Sequence, residues 1–64
     1  MLMTSKDDIA RSARTLVLRH GAEAPSILER EAADLGRRGD LREQDRTYLI
    51  LNEVERLLSS TLRH

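Results

Sequence analysis

The stretch "RRGDLRE", residues 37–43, decides the fold, because within seven residues it closes one helix and opens the next. Gly39, with no Cβ, accepts the left-handed backbone that ends a helix. Arg37 and Arg38 put cations in the final turn, where the helix dipole is negative. Asp40 stands three residues before Glu43, the D-x-x-E spacing in which a capping side chain accepts a first-turn N–H. Arg38-Gly39-Asp40 also spells an integrin-binding tripeptide, but a helix stop followed by a cap accounts for all three residues.

Downstream of this turn, apolar spacing predicts the longest helix, over about 41–62. Thr47, Ile50, Leu51, Val54, Leu57, Leu58, Thr61 and Leu62 fall in one broad stripe, the expected spine of the core. Upstream, a second helix is expected over about 25–38, with Ala24, Leu28 and Leu35 on one face and Ile27 and Ala32 beside them. Ser26 and Glu29 offer it a capping box, and Arg30, Asp34 and Arg38 fall at four-residue steps on its outer face as ion pairs.

Further back, "RHGAEAP" (residues 19–25) gathers an arginine, a histidine, an acid and a proline as a catalytic loop would. It reads as punctuation instead: Gly21 as the stop, a short loop, and Pro25 with its preset φ at the start of the next helix. The first helix is then expected over about 6–20, capped by Thr4 or Ser5. Asp7 and Asp8 lie in its first turn, Ile9, Ala13, Leu16 and Val17 face inward, and Asp7 and Arg11 form an outward pair. No segment sustains strand alternation. The fold class is all-α, one domain over 1–64: a three-helix unit with two short helices and a long C-terminal one, paired into a dimeric helical bundle.

Pairing is expected because the chain is so small. Sixty-four residues bury only about 60% of their unfolded surface, and chains of this size are held by disulfides, a metal or association. There is no cysteine, and His20 and His64 are the only histidines, so no metal or other cofactor is expected. Hydrophobic residues at 39% lift the chain out of the disordered class, yet Tyr48 is the only aromatic. Leu49 points to the side opposite the stripe, Tyr48 lies at its edge, and Leu18 lies off the inward face of the first helix. With Leu58 and Leu62 they form the expected dimer or partner interface.

The formal charge is zero, so no global field draws the chain to nucleic acid or anionic lipid. The N-terminus reaches Lys6, Asp7 and Asp8 before any apolar run of signal-peptide length, and no stretch approaches the roughly 18 apolar residues of a membrane span. The expected location is cytoplasmic.

Little in the chain resembles reaction chemistry. Ser12, Ser26, Ser59 and Ser60 have no base brought to them by spacing. Glu29 with Glu31, and Glu53 with Glu55, are two apart and face different directions on a helix. Glu31 alone lies near an inward stripe, as a structural or interface acid. The three glycines read as helix breakers, or nearly so, rather than a phosphate loop. The alternative to protein contacts is a helix-turn-helix-like DNA-binding regulator with a basic patch at Arg37, Arg38, Arg42 and Arg46. Glu43 and Asp45 would oppose phosphate there, so a nucleic-acid partner is disfavoured. The expectation is a non-enzymatic interaction protein acting as a homodimer.

"IARSARTLVLRHGAEA" (residues 9–24), "RRGD" (37–40) and "ILNEVERL" (50–57) resemble a group of short uncharacterised bacterial helical proteins. These read approximately as I-x-x-S-A-x-x-L-x-x-R-H-G-x-x-A, a G-D turn and a helix ending in I-E-x-L. Ser12, Ala13, Leu16, Arg19, His20, Gly21, Ala24, Gly39 and Asp40 carry the likeness. Thr47 stands where the group has tryptophan, and Glu53 where it has alanine. The resemblance implies the helical layout and no activity.

Overall fold

The computed structural model describes residues 6–62 and is all helical, with no strand among the described residues. The order is α1 (Lys6–His20), a one-turn 3-10 helix (Gly21–Glu23), α2 (Ala24–Arg38) and α3 (Leu41–Leu62). The bounds of α1 and α3 are those expected; α2 starts one residue early. Thr4 and Ser5, the expected caps of α1, lie outside the described residues.

Between α1 and α2 there is no loop, contrary to expectation. Gly21 takes the left-handed conformation (φ 54°) that breaks α1, and the next residues tighten at once into the 3-10 turn. The Ala24 N–H donates to the Gly21 carbonyl, and α2 continues directly with Pro25 in its first turn. The first amide of α2, that of Ala24, thus has a backbone acceptor, and Pro25 has no hydrogen to satisfy. The capping box expected of Ser26 and Glu29 does not form: Glu23 precedes the helix and gives no side-chain cap.

The turn between α2 and α3 follows the sequence closely. Gly39 is left-handed (φ 78°); its N–H reaches the Gly36 carbonyl at 3.1 Å, and the Asp40 N–H reaches the Leu35 carbonyl at 2.9 Å. These are the paired bonds of a Schellman stop. The Asp40 carboxylate then accepts the Glu43 N–H at 3.4 Å. One residue therefore closes α2 with its backbone and opens α3 with its side chain. Because the Asp40 N–H is already spent on Leu35, the reciprocal half of a capping box has nothing to bind.

α2 folds back along α3, while α1 lies on another flank of α3 and barely touches α2. The buried cluster is Ala13 from α1, Ala24 and Leu28 from α2, and Ile50, Leu51 and Val54 from α3, with Ile9, Leu16, Val17, Leu57 and Leu58 packed around it. Ala32 and Thr47 are buried too. The fully covered positions of α1 and α2 are mostly alanines, which bring both helices close to α3 but leave Val54 as the largest side chain wholly removed from solvent among the described residues. The molecule is a slab of 39 × 27 × 17 Å, its short dimension holding two helix layers.

The hairpin has a further contact that the sequence does not announce. Gln44 Nε2 donates to the Ala32 carbonyl at 3.1 Å, and its amide lies where a Cβ on Gly36 would stand, 2.5 Å from Nε2. Gly36 is thus no helix breaker. It sits inside α2 at a cost of about 1 kcal/mol relative to alanine and leaves room for the Gln44 amide.

Candidate association surface

Among the described residues four large apolar side chains stand in solvent: Leu18 at 86% exposure, Leu41 at 64%, Leu49 at 50% and Tyr48 at 46%. Leu41 was not among the expected interface residues, since at the first position of α3 it precedes the periodic stripe. Leu41 and Tyr48, seven residues apart, lie on one line of α3 directed away from its buried side, with Asp45 between them. Leu49 lies about a quarter-turn around, at a groove of about 610 Å³ that it shares with Ile9 and Ala10 of α1. Arg56 and Glu53 border that groove as an exposed ion pair. The Arg56 hydrogen bond, followed by the Arg56 and Arg14 charges, holds the Glu53 carboxyl below the usual glutamate value against partial desolvation.

Leu18 is on the outer side of α1, opposite Ala13, and so on the other layer from Leu41 and Tyr48. Leu58 is half-buried against the core and serves the single chain. The side chain of Leu62 lies outside the described residues. Of the five expected interface residues, Tyr48 and Leu49 are thus neighbours on α3, and Leu18 is separate from them.

The four arginines are distributed among different partners. Arg37 and Arg38 share Asp34 at 3.4 and 3.0 Å. Arg46 turns toward α1, meeting Asp8 at 2.7 Å and the Ser12 hydroxyl at 3.5 Å. Arg42 is exposed and makes no ion pair among the described residues. Asp7 and Arg11 do not form their expected pair; the carboxylate of α1 that finds an arginine is Asp8, and the arginine comes from α3.

On the flank where α1 and α2 diverge, an open cleft of about 460 Å³ is floored by Thr47 and Ile50 and walled by Leu16 and Leu28. Arg11, Glu31 and Glu43 stand at its rim. Glu31 is exposed there and makes no ion pair among the described residues. Thr47 spends its hydroxyl on the Glu43 carbonyl at 2.9 Å, and Thr15 spends its own on that of Arg11 at 3.0 Å. Among the described residues no buried side-chain polar atom lacks a partner, no three metal-ligating side chains converge, and no helix is long and apolar enough to cross a membrane. His20 is exposed at the end of α1, and Ser26, Ser59 and Ser60 are exposed. Compared with known proteins, the chain matches no family model, no curated protein and no solved structure.

Proposed function

We propose that this chain is a non-enzymatic association module that works as a homodimer and presents helical surface to protein partners. The observation that carries the reading is the apolar surface left on α3, Leu41 and Tyr48 in line with Leu49 beside them, on a slab whose wholly buried side chains are no larger than valine. Each is already about half covered, so covering the rest is worth about 1–1.5 kcal/mol, still a sizeable addition for a domain of this size. Protein contacts are favoured over a nucleic-acid duplex because Arg37, Arg38 and Arg46 each already have a carboxylate partner, which would compete with phosphate. Kinship with the short bacterial helical proteins belongs to the same proposal and adds no activity to it.

The test is a pair of substitutions, Tyr48→Arg and Leu49→Asp, read by sedimentation equilibrium. Both residues are half-exposed, so each change costs the folded chain only about 1 kcal/mol of its own packing. The expected outcome is a dimer weakened about tenfold or more with the helical content retained. Unchanged association in both variants rules out this face.

A further inference from the structure

We infer that the second copy contributes its α1: the homodimer forms by exchange of this helix, each chain laying α1 on the partner's α3. The inference rests on the homodimer reading above: the copies meet along the outer faces of α3, and α1 is what passes between them. Three features lead to it.

First, α1 is separable. It packs on α3 and barely touches α2, the helix that follows it, and only Ala13 along its length is fully buried. α2 by contrast buries Ala24, Leu28 and Ala32 against α3 and is tied to it by the cap at Asp40 and by Gln44. Second, the connection is short. Three residues join α1 to α2, and the fold-back relies on Gly21 holding a positive φ. A connection this short opens readily into exchange, because the open form keeps every contact without the tight turn. Third, the seat of α1 carries its own address. Arg46 recognises Asp8 and Ser12 across more than thirty residues of sequence, and this pairing is as available to the α1 of another copy as to its own. In the exchanged dimer each apolar contact of Ile9, Ala13, Leu16 and Val17 recurs between chains. Leu49, which borders Ile9 and Ala10 of its own α1 in the single chain, borders those of the partner in the exchanged one.

Charge exchange at the address is the test. Asp8→Arg and Arg46→Asp each set like charges against each other within one chain. In a mixture refolded together, α1 of the first variant meets aspartate on the second, and α1 of the second meets arginine on the first. The expected result is that each variant alone melts below the wild type, and that the mixture recovers the wild-type melting temperature with mixed dimers seen by native mass spectrometry. Gly21→Ala supplies an independent arm. A Cβ there meets nothing within 4 Å, so the substitution acts only on the backbone and should raise the dimer-to-monomer ratio. A Gly-Ser insertion after Gly21 should lower it. A mixture that melts as the sum of its parts, while the wild type still dimerises, overturns the exchange and leaves the outer face of α3 as the whole interface. A wild type that stays monomeric at every concentration overturns both readings.

Discussion

Asp40 shows how much a single residue can be read from sequence: its spacing from Glu43 located a helix start, and its carboxylate does accept the Glu43 N–H. Asp40→Ala is expected to cost about 1 kcal/mol, measured by urea denaturation. Gln44 was not legible in this way, because a glutamine in a first turn carries no signature and its acceptor, the Ala32 carbonyl, is identified only once the hairpin has closed. Gly36 was misread for the same reason. The two should be coupled. Gln44→Ala in the wild type loses one hydrogen bond, about 0.5–1.5 kcal/mol, whereas in a Gly36→Ala background the displaced amide has little left to lose. A double-mutant cycle reads the difference, and additivity would show that the amide does not occupy the space over Gly36. Glu53 gives a pH dependence. Its carboxyl is held low chiefly by the Arg56 hydrogen bond, so its contribution is complete above the ordinary glutamate value and is lost as pH falls through the depressed one. Glu53→Gln should flatten the acid limb of the stability curve and leave the neutral region with the same slope.

At the scale of elements, apolar periodicity and two glycines were enough to set three helices within a residue of their positions. They were enough because each helix exposes one face and buries the other, so composition follows the 3.6-residue repeat. What periodicity does not carry is which helix packs on which. The local pair Asp7 and Arg11 looked favourable, yet Asp8 pairs with Arg46, a contact set by how α1 crosses α3. The segment "RHGAEAP" was read correctly as punctuation, while the compact 3-10 turn within it went unseen, since no side chain there differs from those of a loop. The helices also differ in how firmly they are held. Hydrogen exchange on the monomer at high dilution is expected to show the amides of α1 opening sooner than those mid-way along α2 and α3, because α1 buries one alanine where its neighbours bury leucine, isoleucine and valine. Equal protection along all three helices would mean that α1 is integral to one cooperative unit.

For the whole molecule, the small alanine-rich core and the exposed Leu41, Tyr48 and Leu49 belong together. Alanines let three helices close into a slab 17 Å thick, and a slab so thin has little interior in which to place large side chains. The surplus of apolar surface was visible in the sequence as residues off the inward faces, although Leu58 proved to serve the core and Leu41 was missed because it precedes the stripe. Sequence could not divide the surplus between layers: Leu18 is on the back of α1, and Tyr48 on the back of α3. The most direct test of the account is sedimentation equilibrium of the wild-type chain from low to high micromolar concentration, with melting followed on the same samples. A shift from the 7.3 kDa monomer to twice that mass, with a melting temperature that rises with concentration, is the predicted result. A single 7.3 kDa species throughout, melting cooperatively at one temperature regardless of dilution, would contradict it.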